Sequence, residues 1–102
     1  MVNILLCCSA GMSTSMLVKK MQAAATAKGV EAKIWAIAQS ELPAHKSEAQ
    51  IVLLGPQIRY ALKDVTKEVG ADIPVQVIDV LDYGTMNGEK VLNKALETLG
   101  LA

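Results

Sequence analysis

The stretch Val2 to Ser15, VNILLCCSAGMSTS, decides the fold. Val2 to Cys7 is nearly uniformly apolar, which suits a central parallel strand covered on both faces rather than a strand with one wet side. Cys8-Ser9-Ala10-Gly11 breaks that run with small residues, and Ser13, Thr14 and Ser15 bring side-chain oxygens of the kind that start helices. A strand, a small-residue turn and a helix start within fourteen residues form the opening half of a βαβ unit.

Working outward, Leu17, Met21, Ala24 and Ala25 fall at i, i+4, i+7 and i+8, one face of a helix that Gly29 ends. Glu31 to Ile37 reads as a second strand. Ser40 to Lys46 reads as a short helix with Ser40 as its cap and Pro43 in its first turn. Ile51 to Leu54 is a compact buried strand ending at Gly55-Pro56, and Ile58, Ala61, Leu62, Val65 and Val69 make a helical stripe closed by Gly70. Val75 to Ile78 is a fourth strand. Asp79 to Gly84 reads as a loop, after which Asn87 caps a last helix carrying Val91, Leu92, Ala95, Leu96 and Leu99. Four strands alternating with helices predict a single α/β domain, a parallel sheet with helices on both faces. If the first strand is central, the ligand crevice lies at the carboxyl ends of strands one and three, where Cys8 and Gly55-Pro56-Gln57 leave the sheet.

Composition narrows the functional classes. Hydrophobic residues make up 52% of the chain with no Phe, so the core is aliphatic, and 10 basic residues balance 10 acidic ones. A neutral chain lacks the basic excess expected of a nucleic-acid or anionic-membrane binder. Lys19 and Lys20 interrupt the first helix, so no run is long enough to insert into a membrane. No basic region precedes the first apolar segment, as a signal peptide would require. Two adjacent cysteines do not form a disulfide framework, and together these features fit a cytoplasmic protein.

The segment Cys8 to Ser15 carries the chemistry. Small residues let backbone N–H groups converge into an anion nest, and the following helix adds its free N–H groups and positive dipole end. A thiol at the head of that loop is a nucleophile whose thiolate, and any phosphoryl group it acquires, the same donors stabilise. Cys7 belongs to the strand; its side chain alternates away from that of Cys8 into the core. A Cys-x5-Arg loop would indicate a tyrosine phosphatase, but the sixth residue after Cys8 is Thr14. Without the arginine clamp, phosphoryl transfer to another acceptor fits better than hydrolysis, and Asp82 reads as a solvated loop residue. A phosphatase of the same general fold and a flavin- or nucleotide-binding module remain alternatives. Against the second stand the absent glycine fingerprint and the few aromatics, Trp35, Tyr60 and Tyr83. His45, the sole histidine, reads as a solvated surface residue without a carboxylate partner. No metal-ligand spacing and no cofactor motif is present.

Leu5 to Ser15 (LLCCSAGMSTS), Ile51 to Ile58 (IVLLGPQI) with Tyr60, and Val77 to Asp79 (VID) with Tyr83-Gly84 resemble the IIB component of the phosphoenolpyruvate-dependent sugar phosphotransferase system, in its lactose/chitobiose branch. The block spacing agrees from about residue 2 to residue 99. The resemblance implies a flavodoxin-like four-stranded parallel sheet of order 2-1-3-4. It implies that Cys8 accepts a phosphoryl group from a phosphohistidine of a IIA partner and passes it to a sugar bound in a membrane-embedded IIC permease. Ser9, Ala10, Gly11, Met12, Ser13, Thr14 and Ser15 match the phosphate-cradling loop, and Gln57 and Tyr83 match positions on the site wall. Asp82 departs from the pattern, since the chitobiose-type sequence implies an apolar residue there.

Overall fold

Strand β1, Val2–Cys8, is central because every side chain from Ile4 onward is buried, and a strand apolar on both faces needs cover on both. The computed structural model describes residues 1–8 and 14–101. β1 pairs in parallel with β2 (Ala32–Ala38) on one side and β3 (Ile51–Leu54) on the other, with Ile4 opposite Ile34 and Ile51. β3 in turn pairs in parallel with β4 (Val75–Val77), completing the order β2-β1-β3-β4. This is the flavodoxin-like order the resemblance implies.

Side-chain alternation divides the core into two layers. Ile4 and Leu6 of β1 join Ile34, Ile51 and Leu53 beneath helices α1 (Ser15–Lys28) and α5 (Gly88–Thr98), which contribute Leu17, Met21, Ala25, Val91, Leu92, Ala95 and Leu96. Leu5 and Cys7 face the other way. They pack with Ile37, Val52 and Leu54 against Leu42 of α2 (Leu42–His45) and against Ile58, Ala61 and Val65. Those last three belong to the tight turn Pro56–Ala61 and to the helix it feeds, α3 (Leu62–Val69). Leu62 lies off the stripe proposed for it and is exposed.

The punctuation follows local chemistry. Gly29 closes α1 at φ 72°, a left-handed conformation that glycine adopts without steric cost. Asn87 caps α5, its Oδ1 accepting from the Lys90 N–H at 3.1 Å. Gly88, the first residue of α5, lets that helix approach α1 so closely that a Cβ would stand 2.5 Å from the Lys20 carbonyl carbon.

Three local expectations are corrected. Residues 39–48 are helical in short pieces, but Ser40 is not the cap; Ala38 occupies that position and its N–H donates to the Glu41 carboxylate at 3.1 Å. Asp79 to Gly84 is not a loop. Val80–Gly84 forms helix α4, capped by Asp79, whose Oδ1 accepts from the N–H groups of Leu81 at 2.9 Å and Asp82 at 3.2 Å. His45 is not a solvated residue without partners. Its side chain is 32% exposed, and Nδ1 accepts the Trp35 indole N–H at 3.3 Å. An indole only donates, so Nδ1 is the acceptor of that bond, and Glu48 Oε2 lies 3.9 Å away. Lys33 rounds off this cluster, its Nζ 4.6 Å from the Trp35 ring centroid and 3.1 Å from Glu48 Oε1.

Candidate functional site

Cys8 ends β1, opposite Ala38 of β2 and one residue past the pairing of Cys7 with Leu54 of β3. Being one step from Cys7, it turns toward the α1 face. Cys7 stays in the opposite layer, where burial, reinforced by the neighbouring Cys8, pushes its thiol up to about 12. Cys7 is therefore a protonated core side chain across the physiological range, the role its place in the strand predicts. Cys8 is buried as well.

The turn toward α1 brings Cys8 to Thr14. The threonine sits at the N-cap position of α1 but makes no side-chain capping bond; its Oγ1 donates to Cys8 Sγ at 3.4 Å, and the residue is fully buried. The hydroxyl that sequence reasoning assigned to starting the helix is directed at the sulfur. Ser15 begins α1 and is exposed. Ser9, Ala10, Gly11, Met12 and Ser13, the rest of the proposed phosphate loop, lie outside the described residues.

The second wall comes from the end of β3. Gly55 N–H donates to the Cys7 carbonyl at 2.8 Å, and a Cβ on Gly55 would lie 3.6 Å from Cys8 Cβ. That hypothetical Cβ would also overlap Gln57 Oε1, so the Gln57 side chain folds back over Gly55, into space that only glycine leaves open. Gln57 Nε2 donates to the Tyr83 hydroxyl at 2.8 Å. The two residues matched to the site wall are thus brought together, one from the turn after β3 and the other from α4 after β4.

Behind Tyr83, the structure overturns the reading of Asp82. It is 4% exposed rather than solvated, with Oδ1 3.9 Å from Lys90 Nζ and Oδ2 3.5 Å from Lys94 Nζ. Asp79 is exposed, and its carboxyl is held below the usual aspartate range by the N–H groups of Asp82 and Leu81. Among the described residues, no helix is long and apolar enough to cross a membrane.

The candidate site therefore has a thiol at the topological switch point, a hydroxyl aimed at its sulfur from the head of a helix, and an amide–phenol pair on the far side of Gly55. The family model "PTS system, Lactose/Cellobiose specific IIB subunit" matches residues 3–94. The chain belongs to that family. A IIB relative from Bacillus subtilis, named the oligo-beta-mannoside-specific EIIB component, is 42% identical over 100 residues, covering 97% of each chain. The cellobiose-specific IIB component of Borrelia burgdorferi, whose solution structure superposes with a TM-score of 0.78, is 47% identical over 94% of this chain and 89% of that one. The lactose-specific IIB domain of Streptococcus pneumoniae shares the fold, with a TM-score of 0.82 at 17% identity, over 94% of this chain and 95% of that one. The IIB assignment makes this chain a component of the sugar phosphotransferase system.

Proposed function

We propose that this chain is a phosphocarrier in which Cys8 holds the phosphoryl group between a IIA donor and a sugar in a IIC permease. The observation that carries the proposal is the Thr14 Oγ1 contact to Cys8 Sγ at the end of the central strand. In the first step the Cys8 thiolate attacks the phosphorus of a phosphohistidine on IIA. The S–P bond forms as the N–P bond breaks, and the imidazole leaves with the electron pair. In the second step a sugar hydroxyl attacks the same phosphorus. The O–P bond forms, the S–P bond breaks, the thiolate returns with its electron pair, and the hydroxyl proton passes to a base.

Thr14 serves both steps as a neutral donor. It stabilises negative charge on sulfur, and it lacks the cationic clamp that would favour attack by water on a phosphocysteine. Ser9 to Ser15 supply the remaining phosphate contacts, while Gln57 and Tyr83 wall the opposite side. The acceptor is a β-linked disaccharide or oligosaccharide of the cellobiose, chitobiose or lactose type; the relatives named for an oligo-beta-mannoside and for cellobiose support a β-linked sugar. The carrier works in the cytoplasm and meets the membrane only through IIC.

The test is intact-mass analysis and peptide mapping after incubation with phosphoenolpyruvate, the general transferases and a matching IIA protein. A single phosphoryl adduct on Cys8, lost in Cys8→Ser, is expected. An unmodified Cys8 with several IIA donors, together with phosphate release from aryl phosphates, would replace the carrier with a phosphatase.

A further inference from the structure

Asp82 is a buried carboxylate for which stability alone gives no reason. An apolar side chain of similar size would satisfy the same burial, and replacing buried ion pairs by hydrophobic groups is often neutral or stabilising. What the charge adds is direction. Its two oxygens face different lysines, Lys90 and Lys94, one turn apart on α5, so the carboxylate straddles that turn. α4 has only 5 residues, too few to hold a helix unaided. Asp79 fixes its start, and the Asn87 N–H ties the Asp82 carbonyl at 2.8 Å. The ion pairs to Lys90 and Lys94 add a tie between α4 and α5 on the Asp82 side.

Tyr83 is the next residue on that helix, and rotation is what its hydroxyl is most sensitive to. At the side-chain radius of a helix, roughly 6 Å, a turn of about 15° moves the phenol oxygen by about 1.5 Å. That displacement breaks a hydrogen bond of 2.8 Å. The bond in question holds Gln57, whose Oε1 folds over Gly55 beside Cys8.

We propose that Asp82, clamped by Lys90 and Lys94, is a positioning residue that orients Tyr83 and, through it, Gln57 at the edge of the Cys8 site. The inference rests on the phosphocarrier reading for its kinetic consequence but not for its structural one. The experiment is a double-mutant cycle of Asp82→Asn and Tyr83→Phe with two readouts. One is the rate of single-turnover phosphoryl transfer to Cys8 from phosphorylated IIA; the other is the Gln57 side-chain amide resonance of the unphosphorylated protein. Asp82→Asn is expected to slow transfer about three- to tenfold and to shift the Gln57 resonance. Both effects should vanish in the Tyr83→Phe background, because the lever is then absent.

Equal slowing by Asp82→Asn in both backgrounds, or an unmoved Gln57 resonance, overturns the proposal. If the wild-type protein accepts no phosphoryl group at all, the carrier reading fails, and the resonance shift alone still decides the positioning. Should Asp82→Asn fail to fold, the surface pair Lys90→Gln with Lys94→Gln removes the clamp from the other side and must give the same pattern.

Discussion

Gly55→Ala separates the site from the scaffold more sharply than any change to the thiol. The backbone at Gly55, φ −60° and ψ 146°, is ordinary for alanine, and the nearest fixed atoms to a new Cβ, Cys7 O and Cys8 Cβ, stand at 3.6 Å, ordinary contact distance. The conflict is with Gln57 Oε1, the far end of a flexible side chain, which must swing away and surrender its bond to Tyr83. Losing that bond costs about 0.5–1.5 kcal/mol. Restricting the unfolded chain at a former glycine returns about 0.4–1 kcal/mol. Net stability should therefore stay within about 1 kcal/mol of wild type, a shift of no more than about 4–8 °C in Tm. Transfer is expected to suffer far more. If Gln57 contributes one hydrogen bond to the charged phosphoryl group, about 1.5–3 kcal/mol, its displacement slows transfer by about 10- to 150-fold. Thermal unfolding gives the first quantity and single-turnover transfer from IIA the second; Gln57→Ala should reproduce the second. A Gly55→Ala protein that unfolds several kcal/mol earlier, or one that transfers at the wild-type rate with Gln57 displaced, would refute the reasoning.

Three further outcomes are expected. Gly88→Ala places a Cβ 2.5 Å from the Lys20 carbonyl carbon and the Met21 nitrogen, atoms of backbone that cannot step aside, so α1 and α5 must part. Urea unfolding should register a loss of about 2–3 kcal/mol, whereas Gly84→Ala, whose Cβ would meet nothing within 4 Å, should be harmless. Thr14→Val keeps the shape but removes the donor to Cys8 Sγ, and transfer should fall about tenfold while Thr14→Ser retains most of it; equal rates for all three would remove the hydroxyl from the chemistry. The depressed folded-state pKa of Asp79 means its ionised form adds stability above the unfolded aspartate value, and this is lost as pH falls through the folded one. Acid unfolding of Asp79→Ala should be less steep over that window, and a curve parallel to wild type would deny the cap its role.

How much of this was legible in the sequence depended on how local each cause is. β1 and β3 were readable because strands buried on both faces leave continuous apolar runs, and the close of α1 because Gly29 is a direct backbone requirement. Cys8 stands out in the sequence because its neighbours are small and hydroxylated, and its place at the end of β1 follows from the apolar run before it. α4 was missed because 5 residues make little more than one turn, too few for a repeat to show, although Asp79 as a cap was a usable signal. The burial of Asp82 depends on lysines 8 and 12 positions on, beyond the i+3 and i+4 pairs a local reading tests. The pairing of Gln57 with Tyr83 spans 26 residues and two strand ends, so only the sheet order brings them together. For His45, Glu48 at i+3 was within reach of a local reading; Trp35 on the neighbouring strand was not.

The Lys33, Trp35 and Glu48 cluster has a consequence for how the molecule avoids its own kind. β2 and β4 are the outer strands of the sheet, the positions at which an edge can pair with a passing strand. β4 spans only three residues, but β2 spans seven and would be the better template for intermolecular pairing. Lys33 plants a charge near the start of that edge, with its ammonium over the Trp35 ring and paired to Glu48. A second chain adding to β2 would have to displace or bury that cation. On the phosphocarrier proposal, a protein that docks two different partners in turn gains from an edge that repels a third.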